Sequence, residues 1–150
     1  MRPTCETLLL RQASERDYAY ARRVHHTAYR DMVIRQFGAW EEEVQDLFFD
    51  ESWHSAAYEL ILVDGEPCGY CCIHEHESCL QLVEFAIDVS KQGRGIGSMF
   101  LAKFKQLAAA KGKRAQLNVM KSNTKAKALY ERSGFSIYGE NPSQFLLCAP

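Results

Sequence analysis

Three groups of residues in this chain have types and spacing suited to chemistry. Residues 92–98 read Gln-Gly-Arg-Gly-Ile-Gly-Ser, between a strand-like run (Leu80–Val89) and a helix-like run (Ile96–Lys111). A glycine-rich turn that opens a helix gathers unpaired backbone N–H groups and the positive end of the helix dipole at one point. Such a point binds phosphate, although the same glycines could serve only a tight turn. Arg94 would add a cation there or face solvent. The second group is Asn123 and Tyr130, seven residues apart, which is two helical turns and therefore one face. The third is a single carboxylate, Glu84, between Val83 and Phe85. Desolvation by such neighbours raises a carboxyl pKa into a range useful to a base.

Two common phosphate loops do not fit. The Walker loop requires Gly-x-x-x-x-Gly-Lys-Ser/Thr, and no such run is present. The dinucleotide fingerprint requires a third glycine where Ser98 stands, and an acidic residue about 20 positions on, where Lys113 and Arg114 stand instead. What remains, Gln92-x-x-Gly95-x-Gly97, resembles the pyrophosphate loop of the GNAT superfamily of acyl-CoA-dependent N-acetyltransferases, Gln/Arg-x-x-Gly-x-Gly/Ala. The downstream residues strengthen the resemblance. Leu117-Asn118-Val119 is followed by Asn123, Ala126, Leu129-Tyr130-Glu131-Arg132 and Gly134-Phe135. This is similar to the family's second block, in the family's order and separation, and the specific likeness runs from Leu80 to Phe135.

The resemblance implies roles. Backbone amides from Gln92, Gly93, Arg94, Gly95, Ile96, Gly97 and Ser98 would hold the pyrophosphate of acetyl-CoA. The main chain of Phe85, Ala86 and Ile87 would bond the pantetheine arm as an added strand does, and the same strand would polarise the thioester. Tyr130 would protonate the departing thiolate, a phenol of pKa about 10 serving a thiol of about 8.5; an aromatic core residue is its other reading. Asn123 would bind the cofactor or cap its helix. The two positions where relatives carry a basic Glu hold Asn118 and Gln81 here. Glu84 is then the candidate base, directly or through water, with a structural or substrate-binding role as the alternative and deprotonation by solvent as another. The acceptor site would be walled between His25 and Trp40, with Tyr29, Phe37 and Trp40 lining it and Glu41–Glu43 at its edge.

The resulting expectation is transfer of an acetyl group from acetyl-CoA to a primary amine of a small molecule. The alternatives are a protein N-terminal or lysine acetyltransferase, and a non-catalytic acyl-CoA-binding sensor. Tyr130 within its motif weighs against the sensor; the two missing glutamates weigh for it.

Hydrophobic periodicity supplies the elements that must position these groups. Strands are expected at Glu6–Gln12, Ala57–Val63, Cys68–His76, Leu80–Val89, Ala115–Val119, Phe135–Tyr138 and Gln144–Leu147, with Asp64-Gly65 as a hairpin turn. Ser14 and Asp17 have capping-box spacing. They precede a helix with Tyr18, Ala21, His25, Ala28 and Met32 on one face, interrupted at Gly38. An acidic helix over Trp40–Phe49, the long helix closed by Gly112, and Thr124–Arg132 complete the set. The order β-α-α-β-β-β-α-β-α-β-β predicts an α/β (α+β) domain over residues 1–150, a mixed, mainly antiparallel sheet between helices, which is the family's fold.

Composition bounds the remainder. With 150 residues, 47% of them hydrophobic, one domain can bury a real core. The formal net charge is −1, which argues against a dedicated nucleic-acid binder. The first 75 residues carry 7 Lys+Arg against 14 Asp+Glu and the last 75 carry 11 against 5. A basic half suits a polyanionic cofactor, and an acidic half could attract a cationic amine. No signal-peptide pattern or span-length apolar run is present, so a cytoplasmic protein with no membrane partner is expected; a homodimer is left open. Six cysteines are read as reduced thiols, with Cys68 and Cys71 on opposite faces of a strand and no metal bound.

Overall fold

A computed structural model describes residues 7–150. Strand β1 is Leu8–Gln12, so the expected start at Glu6 lies outside the described residues. A short 3₁₀ turn, Glu15–Asp17, leads into helix α1, Tyr18–Phe37. Ser14 N–H donates to Asp17 Oδ2 at 2.9 Å and Asp17 N–H to the Ser14 carbonyl, which fixes the entry to this helix. Gly38 ends it in the left-handed region, φ 90°, which a glycine adopts without strain. Helix α2 covers Glu42–Ser55 rather than starting at Trp40. Glu42 and Glu43 occupy its first turn, where the dipole favours acidic side chains. Phe49 and Trp53, four apart and both buried, carry it beyond the expected end.

Strands β2 (Tyr58–Val63) and β3 (Glu66–Glu75) flank Asp64-Gly65, both at positive φ, the backbone a two-residue hairpin requires. β4 is Cys79–Ile87, α3 Ile96–Ala110, β5 Arg114–Met120, α4 Thr124–Arg132, β6 Ser136–Glu140 and β7 Gln144–Ala149. The strands form one seven-stranded sheet in the order β1-β2-β3-β4-β5-β7-β6. All neighbours are antiparallel except β4 and β5.

Side chains alternating across the sheet feed two cores. On one face Leu60, Tyr70, Cys72 and Ala86 meet Ala21 and Val24 of α1 and Phe49 and Trp53 of α2. On the other, Ile61, Cys71, Leu80 and Leu117 meet Phe100, Leu101 and Phe104 of α3, with Tyr130 and Phe135.

Alternation breaks at two bulges. In β3 the pairing with β2 steps from Gly69 to Pro67 and skips Cys68. One extra residue reverses the alternation, so Cys68 and Cys71, expected on opposite faces, pack into the same core. Cys68, Cys71, Cys72 and Cys79 are buried free thiols, and burial pushes the Cys72 thiol up to about 11.

In β4 the pairing with β3 steps from Glu84 to Leu82 and skips Val83. Leu80 and Leu82 face α3, and so do Phe85 and Ile87. Glu84 and Ala86 are thereby turned towards α1. β5 pairs with β4 only over Cys79–Leu82, opposite Arg114–Leu117. From Val83 onwards β4 has β3 on one side and an open gap on the other. Gly69 locks β4 just past the bulge, because a Cβ there would run into the Ala86 carbonyl oxygen. Gly69→Ala should therefore lower stability by about 1–3 kcal/mol, the usual scale for overpacking. A melting temperature equal to wild type would show that this backbone approach does not constrain the strand.

Candidate active site

Beyond β4, Asp88 starts the turn that ends at the glycine-rich sequence 92–98. Its carboxylate accepts from Ser90 N–H at 3.0 Å and Ser90 Oγ–H at 2.9 Å, and Tyr20 of α1 donates to its other oxygen at 3.2 Å. Gly93 and Gly95 both take positive φ, 82° and 77°. Gly95 is the residue before α3, and no side chain caps that end. The first turn also holds no acidic residue, and the helical ladder begins with Met99 N–H on the Gly95 carbonyl at 3.0 Å. The amides of Ile96, Gly97 and Ser98 thus have no partner within the helix.

The two later glycines have different reasons to be small. A Cβ on Gly95 would meet nothing within 4 Å, so its backbone angle is what requires glycine. A Cβ on Gly97 would stand 3.0 Å from Leu129 Cδ2, so this residue lets α3 approach α4. Gln92 and Arg94 are exposed, and Gln92 Nε2 donates to the Ile87 carbonyl at 3.2 Å.

Where β4 and β5 part, a cleft of ≈ 410 Å³ opens. Its polar lining includes His25, Tyr29, Glu84, Asn118, Asn123 and Tyr130, and Met32, Val33, Phe37 and Phe48 supply apolar wall. Glu84 lies on the α1 side because of the bulge. Tyr58 donates to its Oε2 at 2.8 Å, and His25 Nε2 is 3.7 Å from its Oε1. Burial raises the Glu84 pKa, and the Tyr58 hydrogen bond opposes that rise. Tyr29 OH donates to the Phe85 carbonyl at 2.7 Å and ties α1 to the strand beyond the bulge. On the opposite face the Phe85 ring stacks on Phe100 at 4.5 Å. Tyr130 is buried, with its ring edge-on to Phe135 at 6.4 Å, and burial pushes its hydroxyl up to about 12. Asn123 Oδ1 accepts from Ala126 N–H at 3.2 Å, which caps α4 and orients Tyr130 two turns on.

The fold thus brings Tyr29, Glu84, Asn123 and Tyr130 to one cleft, with the loop at the far end of β4. Trp40 is not in the cleft lining. It stands before α2, edge-on to His26 at 5.0 Å, and donates to Glu42 Oε1 at 2.7 Å. From α2, Gln45 and Phe48 reach the cleft rather than Glu41–Glu43. Motif spacing does not flag Tyr58, Asp88 or Tyr20, because each acts across 26 to 68 residues of sequence. His26, Glu42 and Asp46 cluster closely enough to surround a cation, and Arg22 supplies one, 2.8 Å from Asp46 and 3.2 Å from Glu42.

Comparison with known proteins agrees with this geometry. The model of the acetyltransferase (GNAT) family matches residues 21–135. A 5-NmdU N-acetyltransferase of Pseudomonas phage PaMx11 is 32% identical over 94 residues, 62% of this chain and 64% of that protein's length. The PaiA N-acetyltransferase of Thermoplasma acidophilum, solved with coenzyme A, superposes with TM-score 0.73, covering 95% of this chain and 98% of that one at 16% identity. An acetyltransferase of Thermus thermophilus superposes with TM-score 0.70, covering 96% and 97% at 26% identity. At 16% identity the first of these two speaks for the fold alone.

The electrostatics of Glu84 can be tested without a substrate. Its folded pKa is raised, so its contribution to stability is fully present below the ordinary carboxylate range and is lost as pH rises through the raised value. Glu84→Gln removes that dependence. The melting temperature of the variant relative to wild type should therefore increase with pH from about 4 upwards. A difference that does not vary with pH would mean that Glu84 is not held in a desolvated site.

Proposed function

This chain belongs to the acetyltransferase (GNAT) family, and from that premise we propose that it moves an acetyl group from acetyl-CoA to a primary amine of a small molecule by direct attack. The observation that carries the reading is the parting of β4 from β5 beyond Leu82 and Leu117. It leaves a strand edge free for the pantetheine arm, with an uncapped helix start at one end and a cleft holding a carboxylate and a phenol at the other.

In this reading the pyrophosphate takes the free amides at the start of α3, and Arg94 is an exposed cation beside them. The amine enters from the α1–α2 side. Its nitrogen bonds to the thioester carbonyl carbon, and β4 amides beyond the bulge stabilise the oxyanion. As the C–S bond breaks, Tyr130 gives its proton to the sulfur, while Glu84 receives a proton from the amine nitrogen. A hydroxyl raised to about 12 stays protonated at any working pH, so the acid is always loaded. Burial raises the pKa of a thiol as it raises that of a phenol, so a leaving thiolate held in the same dry cleft gains basicity too. Glu84 lies between two carboxylate roles: with its pKa raised by burial it is a better base than an exposed Glu, and in its ionised form it can draw in a cationic amine. The cleft's apolar wall favours an amine on an apolar or aromatic carrier, and the likeness to an enzyme named for 5-NmdU makes that compound one acceptor to include in a panel.

Two measurements test the reading. Acetyl-CoA should raise the melting temperature by mass action, and Gly95→Glu should abolish the shift, because it combines a strained φ with negative charge at the phosphate position. Normal binding by that variant would remove the loop from the site. Tyr130→Phe should bind acetyl-CoA normally but lower kcat by about 10²-fold or more, the scale of lost acid catalysis. Unchanged turnover on an accepted amine would remove Tyr130 from the mechanism.

A further inference from the structure

Two adjacent histidines of α1 connect the cleft to the outer surface. His25 lines the cleft and faces Glu84, Nε2 to Oε1 3.7 Å. On its far side His25 Nδ1 is 2.8 Å from His26 Nδ1. His26 Nε2 is in turn 2.7 Å from Asp46 Oδ1 on α2. The two imidazoles are 12% and 10% exposed, whereas Asp46 is 33% exposed and opens to water. Phe49 and Trp40 wall the rings, 5.1 Å from His25 and 5.0 Å from His26. The row is dry along its length and wet at its outer end.

Hydrogen-bond accounting limits what this row can hold. An ionised Asp46 only accepts, so His26 Nε2 carries a proton. Across the Nδ1–Nδ1 contact one ring donates and the other accepts. When His25 donates, its Nε2 is bare and faces the cleft as a neutral base. When His26 donates, His26 is the imidazolium, paired with Asp46, and His25 Nε2 carries a proton towards Glu84. The two arrangements differ by one proton taken up at the cleft and one shift between the Nδ1 atoms.

We propose that His25, His26 and Asp46 form the path by which the acceptor amine's proton leaves the cleft. The proposal rests on the acetyltransferase reading and adds to it the fate of that proton. As the amine nitrogen bonds to the carbonyl carbon, Glu84 takes its proton and hands it to His25 Nε2, 3.7 Å away. The Nδ1 proton of His25 moves to His26, and the positive charge rests on His26 against Asp46 until its Nε2 proton passes by way of Asp46 to water; the row is restored when the two rings turn and regain their first tautomers. The sulfur still takes its proton from Tyr130. His25 faces the substrate, and His26 and Asp46 are positioning residues that act through it.

The surroundings suit a relay rather than a store. His25 meets Glu84 of β4, with Tyr58 of β2 behind it, and Tyr29 of its own helix at 5.1 Å. His26 meets Asp46 of α2, with Glu42 of α2 and Arg22 of α1 beside that carboxylate. Burial, then the neighbouring His26, depresses His25 to about 4, so a proton arriving there is passed on. Arg22 and then His26 hold Asp46 below its ordinary value, so the outer end stays negative. The basicity that matters belongs to the coupled row and not to His25 alone.

The test is acetyl transfer to a panel amine by the full chain, with acetyl-CoA thermal shifts as the check on folding and cofactor binding. His26→Gln and Asp46→Asn should bind acetyl-CoA as wild type does, lower kcat by about 10-fold or more, and move the acidic limb of the pH–rate profile. His25→Ala should lose activity that imidazole added to the buffer restores. Wild-type rates and profile in His26→Gln and Asp46→Asn overturn the relay. So does a loss that leaves the profile in place and that imidazole does not rescue, which is the signature of packing alone. A wild type that binds acetyl-CoA but acetylates no amine overturns the proposed function itself. That result is distinct from failure of the relay, in which the wild type turns over.

Discussion

One extra residue in β4 organises this molecule. Val83 has no partner in β3, and a strand carrying an unpaired residue bends and reverses its side-chain alternation. Two consequences follow at the same point. Glu84 turns from the α3 face to the α1 face, where Tyr58 and His25 meet it. The strand also leaves β5, so that a parallel pair only four residues long ends in an open gap. A straight β4 would close that gap and point Glu84 into the apolar core beside Leu82. The remaining contacts of the strand hold the bend in place: Gly69 presses close on Ala86, Phe85 stacks on Phe100, and Tyr29 bonds the Phe85 carbonyl.

The two faces of the sheet then divide the work. The α3–α4 face is apolar and stiff, with aromatic rings from Phe85 through Phe100 and Phe104 to Phe135 packed in a row. It fixes the helix start that faces the loop and the helix that carries Tyr130. The α1–α2 face is wetter in chemistry though well buried, with phenols, imidazoles and carboxylates bonded across elements. Polar groups in such a dry place are costly unless paired, and most of these are paired. Burial raises the Glu84 carboxyl and lowers His25 on this face.

The sequence carries those parts of the design that are local. Gly95, Gly112 and Gly134 stand where positive φ is needed, Asp64-Gly65 makes its turn, and Asn123 caps the helix it precedes. Each is settled within a few residues, so spacing alone reveals it, and the order of elements follows from periodicity. The bulges are not legible, since an inserted residue leaves no local mark in a run such as Cys68–His76, and the expected faces of Cys68 and Cys71 fail for that reason. Trp40 falls outside its expected place because it packs on His26 and bonds Glu42, partners that its position in the sequence does not reveal. The partners of Glu84 are invisible in the sequence because Tyr58 and His25 reach it from 26 and 59 residues away.

In the proposed function, the edge of β4 beyond the bulge and the first turn of α3 hold one ligand together. Amide hydrogen exchange read residue by residue, with and without acetyl-CoA, addresses it directly. Protection should appear together at amides within Glu84–Ile87 and at Ile96, Gly97 and Ser98, while the paired part of β4, Cys79–Leu82, changes little. Saturating acetyl-CoA that protects neither segment, or protects α3 and leaves Glu84–Ile87 unchanged, would contradict the account.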